Sequence, residues 1–427
     1  MNNQIVIGVD VSKFFSNICI VSPTGDILCE SKIYHDNTGL KYAVDTIFKF
    51  KFHENQKYVA VMESTAHYHR IVHQYFEKSG IDVIVINPLQ SSSIKNLNIR
   101  KVKNDQTDAH RLAMMYMFRV LHNNMEDTPF IGALKDLTRQ RADIVSEKAK
   151  FSNKLIYLLD QAFPGYRKVF CETRVRSSLM LLQKYPTPEA VLSARKDTLK
   201  KILGEGSGRG KNSKYAETKA TQIIDTAKQA QNICIERTSF APLISMYASM
   251  MMTLLDSAKV LEEQILSLAQ SNDTFWNNVQ LLTSIPGIGN FSATVILSEI
   301  GDISKFKKAK QLVAYAGLDP GVKQSGNMSK SSNKISKRGS VYLRKILDTC
   351  THVAIHRCRG SAAGNPVLAN FYQEKKKAKP PKVAQCACMR KMLDYIFAVL
   401  RDQKPFVVRS PDEHLALMYE KSTSTAA

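Results

Sequence analysis

The sequence lacks any uninterrupted apolar run of about 18 residues or more, so it predicts no membrane span. Its opening residues, Met1-Asn2-Asn3-Gln4, lack the basic and apolar regions of a secretory signal. Cysteine occurs at eight positions but never as Cys-x-x-Cys. The one close pair, Cys386 and Cys388, is too near to chelate a structural zinc in the usual way. These absences predict a cytoplasmic protein with free thiols. A nucleotide-binding P-loop is missing too. The Gly-rich stretch Gly204 to Lys211 has Glu205 where that motif needs Gly, and Asn212 where it needs Ser or Thr. Acid is scarce: 38 Asp and Glu face 60 Lys and Arg, a net charge of +22. Such an excess points to a polyanionic partner, most often nucleic acid. An anionic membrane surface is the weaker partner, because no basic amphipathic helix of the lipid-binding kind is evident.

What is there begins with Ile5-Val6-Ile7-Gly8-Val9-Asp10, an apolar strand running into a carboxylate. A buried strand that ends in an ionised acid needs a cation, donors or water at that end. The plainer reading is an Asp that opens the next turn. Two more strands, Asn17 to Val21 and Ile27 to Ile33, flank the turn Ser22-Pro23-Thr24-Gly25 and predict an antiparallel meander. Leu40, Ala43, Val44, Ile47 and Phe48 fall at helical spacing behind a cap at Asn37 or Thr38. Tyr58 to Glu63 repeats the opening pattern, an apolar strand closing on an acid. A helix from His67 to Lys78, stopped by Gly80, and a strand from Val83 to Asn87 follow. Three antiparallel strands, helix, strand, helix, strand is the order of the ribonuclease-H-like fold. Parallel neighbouring strands would bring Asp10 and Glu63 together.

A polar, basic stretch with Arg100, Lys101 and Lys103 leads into a helix carrying Asp105 and Asp108. These two acids are i and i+3, on one face, and repel unless they share a cation. Acids favoured by the positive end of a helix dipole are the competing explanation. Two helical runs follow. Leu134, Leu137, Ile144, Phe151, Leu155 and Leu158 make the first, with Arg141 and Lys148 interrupting its seam; Leu243 to Leu268 makes the second. They could pair antiparallel, within the chain or between subunits. Between them, residues 171–240 read as an inserted helical unit. Pro286-Gly287-Ile288-Gly289 reads as the hairpin of a helix-hairpin-helix, whose amides would meet a phosphate, or as a simple interhelical turn. Leu312 to Pro320 precedes a polar loop with Lys323, Ser325-Gly326 and Lys330. The chain goes on through Lys334, Lys337, Arg338 and Gly339 into a helix with Arg344. Hydroxyls and bases with few acids suit a phosphate-binding surface. The run Lys375 to Lys382 reads as solvated, and an apolar helix from about Ala384 to Leu400 closes the third domain.

In this order and spacing the motifs resemble the DEDD transposases of the insertion-sequence 110 family, the bridge-RNA-guided recombinases. The marks are Gly8-Val9-Asp10-Val11-Ser12-Lys13, Glu63-Ser64-Thr65, Asp105-Gln106-Thr107-Asp108-Ala109, Ile285-Pro286-Gly287-Ile288-Gly289 and Tyr315-Ala316-Gly317-Leu318-Asp319-Pro320. Ser325-Gly326 and Ser336-Lys337-Arg338-Gly339 complete them. The resemblance implies a RuvC-like α/β domain over 1–125, and an α-helical coiled-coil region over 126–275 with the 171–240 insertion. A mainly α-helical transposase domain with a helix-hairpin-helix would occupy 276–427. It implies that Asp10, Glu63, Asp105 and Asp108 hold Mg²⁺ or Mn²⁺ and that Ser325 is the nucleophile. It further implies donor and target DNA, a structured bridge RNA that selects them, a nucleoid-associated location, and a dimer assembling to a tetramer whose subunits share a site. Arg100, Lys101, Lys103, Gly287, Gly289, Lys323, Lys334, Lys337, Arg338 and Arg344 would contact nucleic acid. Two other readings remain open at this point: a junction-resolving nuclease that activates water with the four acids, and a non-catalytic nucleic-acid scaffold.

Overall fold

The apolar strands of the opening segment pair in the order β3-β2-β1-β4-β5. The computed structural model describes residues 4–64, 67–86, 105–118, 128–170, 172–233, 237–321, 324–325, 328–329, 334–356 and 364–416. The chain divides into two units, 1–127 and 128–427. In the first, β1 (Gln4–Val11), β2 (Phe15–Val21) and β3 (Ile27–Tyr34) form the expected meander. Helix α1 (Asn37–Phe48), β4 (Lys57–Glu63), α2 (His69–Lys78), β5 (Asp82–Ile86) and α3 (Asp105–Met117) follow. Strands β4 and β5 join β1 in parallel. The cap of α1 is Asp36, not Asn37 or Thr38: its carboxylate accepts the Gly39 amide at 2.7 Å. An Asp at this position serves the free amides and the helix dipole together.

Alternation along the strands separates two cores. Ile5, Ile7 and Val9 of β1 pack on one face with Leu40, Ile47, Val72 and Phe76 of α1 and α2. Val6 of β1 and Val59 and Val61 of β4 pack on the other with Ala109, Leu112 and Ala113 of α3. The unit is therefore a sheet between two helical layers.

The second unit is built on two helices of 34 residues each, α4 (Pro129–Ala162) and, further on, α10 (Arg237–Gln270). Between them lie α5 (Tyr166–Val169), α6 (Arg176–Lys184), α7 (Pro188–Ser193), α8 (Lys196–Ser207) and α9 (Lys214–Ala230). Helices α4 and α10 pack against each other within the chain. Arg141, an interruption of the first seam, pairs with Glu262 of α10 at 2.6 Å and lies over the Phe291 ring. The charge that breaks the apolar repeat is thus matched across the seam.

The pair threads two separate cores. Leu155 to Ala162 and Ile244 to Met251 join the inserted helices around the buried Tyr166, whose hydroxyl meets Ser178 Oγ at 2.9 Å. At the other end, Leu134, Ile265 and Ala269 join the C-terminal helices. These are α11 (Asp273–Thr283), α12 (Asn290–Ile300), α13 (Ala309–Tyr315), α14 (Val341–Ile355), α15 (Pro366–Ala378) and α16 (Pro381–Asp402). A fully buried Glu299 on α12 receives two hydrogen bonds from Arg139 on α4, at 2.7 and 3.0 Å, which ties the long helix to this core. The expected polar loop around Ser325 contains a short hairpin, β6 (Gln324–Ser325) against β7 (Met328–Ser329). Among the described residues, no helix is long and apolar enough to cross a membrane.

Candidate functional site

Position on the sheet decides the placing of the acids. In the parallel β1–β4 pair Val9 lies opposite Met62, so Asp10 and Glu63 are the next residues along adjacent strands. Adjacent strands lie about 4.8 Å apart. Alternation puts Asp10 on the face of Val6 and Gly8, and Glu63 on the face of Val59 and Val61. That is the face α3 covers. Both acids are half-buried, and the strand residues just before each are buried. Asp10 lies across from Asn17 of β2.

Helix α3 reaches that face because β1 carries no side chain at residue 8. A Cβ added to Gly8 would lie 1.8 Å from the carbonyl oxygen of Ala109 and 3.0 Å from the amide nitrogen of Ala113. Backbone contact at Ala109 brings the neighbouring Asp108 to the same end of β1. Its carboxylate, 15% exposed, accepts from Arg111 Nη1 at 2.9 Å. Asp105 begins α3 one turn earlier, and its side chain lies outside the described residues. Asp10 and Glu63 therefore lie side by side at the ends of two central strands, on the face covered by α3, the helix that carries Asp108. Among the described residues, no three His, Cys, Asp or Glu side chains close into a group that would hold a metal ion. The donor set nevertheless suits one: carboxylate oxygens are the hard ligands that Mg²⁺ and Mn²⁺ take. Sequence reading missed the role of Gly8, although a lone Gly within an apolar strand is the mark of a close backbone approach.

In the second unit, the motifs on either side of Ser325 tie off the base of its loop. The amide of Ser336 donates to the Asp319 carbonyl at 2.8 Å, that of Lys337 to Gly317 at 3.0 Å, and that of Gly321 to Lys334 at 2.8 Å. The Ser336 hydroxyl donates to the Asp319 carboxylate. Pro320 and Ile335 form an antiparallel bridge. Gly339 presses on the 315–317 turn so closely that a Cβ there would lie 1.8 Å from the Tyr315 carbonyl oxygen. Arg344 Nη1 donates to the carbonyls of Ala316 at 3.0 Å and Gly339 at 2.7 Å, so this expected DNA contact is engaged in holding the neck. Lys334, Lys337 and Arg338 are exposed beside it, and Lys337 holds a left-handed backbone with φ of 55°.

Gly287 and Gly289 separate in role. Gly287, at φ of 95°, faces helix α14: an added Cβ would lie 2.5 Å from the Cys350 carbonyl oxygen. Its freedom serves helix packing. Gly289 caps α12 with open space where a side chain would be. Arg100, Lys101, Lys103 and Lys323, and the Ser325 side chain, lie outside the described residues.

Two family models match the chain. One, for the DEDD transposase domain of insertion sequence 110 and described as transposase, covers residues 7–164. The other, described as transposase of the IS116/IS110/IS902 family, covers residues 279–373. The chain is a member of the insertion-sequence 110 family of DEDD transposases. It is thus a DNA transposase by class. Its α3 acids and strand-end acids fall within the first match, and the neck of the Ser325 loop within the second. An uncharacterized 44.8 kDa protein of insertion element IS116 from Streptomyces clavuligerus is 21% identical over 96% of this chain and 98% of its own length. The pilin gene-inverting protein of Moraxella bovis is 34% identical over 35% of this transposase and 45% of that protein. Among solved structures, T. thermophilus RuvC in complex with a Holliday junction substrate matches 27% of this chain and 94% of that one. Its 10% identity and TM-score of 0.21 add nothing to the topology above.

Proposed function

We propose that this transposase cleaves and rejoins DNA strands through a covalent Ser325 intermediate, at a site that also needs Asp10, Glu63, Asp105 and Asp108. The observation that supports the reading is that Asp10 and Glu63 lie side by side at the ends of two central parallel strands, on the face covered by α3, the helix of Asp108. Like charges so placed are unfavourable alone and become a site when cations join them. A bound Mg²⁺ or Mn²⁺ would supply positive charge to the phosphate oxygens. The carboxylates' own part is to hold that charge in place and to present an acceptor for a proton. Ser325 Oγ forms a bond to phosphorus while the P–O bond to the departing sugar hydroxyl breaks. The serine proton ends on that hydroxyl, and the phosphodiester is conserved as a phosphoserine ester. Attack by a hydroxyl from another strand reverses the step and rejoins DNA without an external energy source. The tied neck supports this reading by fixing the base of the loop that carries Ser325.

The same proposal includes the RuvC-like and helix-hairpin-helix assignments, assembly of dimers into a tetramer with a shared site, and selection of donor and target DNA by a structured guide RNA. The excess of 60 Lys and Arg over 38 Asp and Glu suits two polyanions at once.

Ser325→Ala tests the intermediate. We expect DNA binding to persist, strand exchange to stop and detergent-stable protein–DNA adducts to vanish. Wild-type cleavage that never leaves an adduct would instead establish hydrolysis by activated water. Sequencing the RNA that co-purifies tests the guide: one structured species is expected, and only random cellular RNA would remove that part.

A further inference from the structure

The run Lys375-Lys376-Lys377-Ala378-Lys379-Pro380-Pro381-Lys382 spans a helix junction, the last turn of α15 and the first turn of α16. Lysines in the last turn of α15 suit the negative end of that helix. The same account fails for Lys382. It lies in the first turn of α16, where a helix favours acids, and that turn has none. Helix stability therefore does not explain the whole run.

Little of the charge is neutralised. Lys377 pairs with Glu374 at 2.7 Å, both largely exposed, and Lys382 approaches Asp348 only to 3.8 Å while staying 81% exposed. Exposed pairs of this kind are weak and screened by salt. Lys376 and Lys379 are exposed and form no ion pair among the described residues. Two further lysines are held in place by an aromatic ring: Lys375 Nζ and Lys391 Nζ lie 5.3 and 4.3 Å from the Phe371 centroid. A surface with a net excess of lysine charge results, in which Glu374 and Asp348 offset only part of the total.

We propose that the α15–α16 junction is a docking surface for the phosphate backbone of duplex DNA, separate from the strand-end acids and from the Ser325 loop. The charge sign selects a polyanion. The ring argues against a single-stranded partner. Single-stranded segments are gripped by aromatic faces open for base stacking. Here the aromatic ring of the patch, Phe371, has lysine ammonium groups on it. Lysines without an open stacking face read a regular backbone and not bases. The inference does not depend on the Ser325 chemistry, because it concerns binding alone.

The test is a titration of the full-length protein with a short random-sequence DNA duplex over a range of salt, comparing wild type with Lys376→Gln/Lys379→Gln/Lys382→Gln. Every phosphate that the surface no longer neutralises should flatten the plot of log affinity against log salt by about 0.9, so the triple variant should show a slope shallower by roughly 2 to 3 units. Lys41→Gln/Lys49→Gln/Lys51→Gln removes the same net charge from exposed positions of the first unit and should leave the slope unchanged. Lys→Arg at residues 376, 379 and 382 should restore it, which separates loss of charge from loss of fold. An unchanged slope in the first variant overturns the proposal, as does an equal fall in the control. A loss confined to a structured RNA hairpin, with duplex DNA unaffected, overturns it as well.

Discussion

In the proposed reaction the strand-end acids and the Ser325 loop act together, but the two are mounted differently. Asp10 and Glu63 are placed by a sheet whose residues are buried up to the last position before each acid. Their registration is a property of the whole ladder, and α3 is seated on it by the close backbone contact at Gly8 together with Ala109, Leu112 and Ala113 in a shared core. The base of the Ser325 loop is placed by a few hydrogen bonds, two glycines and one arginine in a half-buried neck. Sheet placement is cooperative and fails all at once; neck placement is local and fails by degrees.

Four substitutions put that contrast to the test. Gly8→Ala should have the largest effect. Its Cβ would meet backbone, so α3 must lift from β1, at a cost of about 3 kcal/mol or more. Thermal unfolding should show a markedly less stable first unit, and strand exchange should be lost with it. Gly339→Ala meets the Tyr315 carbonyl in the same way, but Gly339 is half-buried where Gly8 is buried beneath a helix. We expect about 1 to 2 kcal/mol, with activity falling far more than melting temperature. Ser336→Ala removes one hydroxyl donor to Asp319; about 1 kcal/mol is expected. Strand-exchange rate should drop while DNA affinity holds, and Ser336→Thr should recover part of it. The smallest effect belongs to Lys337→Gly. Relief of a left-handed backbone, about 1 to 2 kcal/mol, is largely offset by the freedom Gly adds to the unfolded chain. A change of about 0.5 kcal/mol in stability, with weaker DNA binding from the lost ammonium, is expected. If Gly339→Ala unfolded the protein as fully as Gly8→Ala, the distinction between cooperative and local mounting would collapse.

The sheet is legible in the sequence because each strand is a continuous or alternating apolar run between recognisable turns. The same alternation could place Asp10 and Glu63 on the α3 face, since Val6, Gly8 and Asp10 fall in step, as do Val59, Val61 and Glu63. The neck is not legible. Asp319 and Ser336 are joined by tertiary hydrogen bonds across a 17-residue separation, and no local periodicity announces such a pair. The cap of α1 falls one residue before the expected positions because Asp36, Asn37 and Thr38 are all competent caps, and only the backbone selects among them. For α4 and α10 both apolar stripes stand in the sequence, but nothing there names the partner of either. Nor does local pattern reveal that opposite ends of one helix pair enter different cores.

That last arrangement has a mechanical meaning. At 34 residues each helix is about 50 Å long, so a tilt of about 5° at one end sweeps the other by roughly 4 Å. The inserted bundle and the C-terminal bundle are riders on a single beam. Any load gripped by the first arrives at the second as leverage, and with it a change in how the serine-bearing head is aimed.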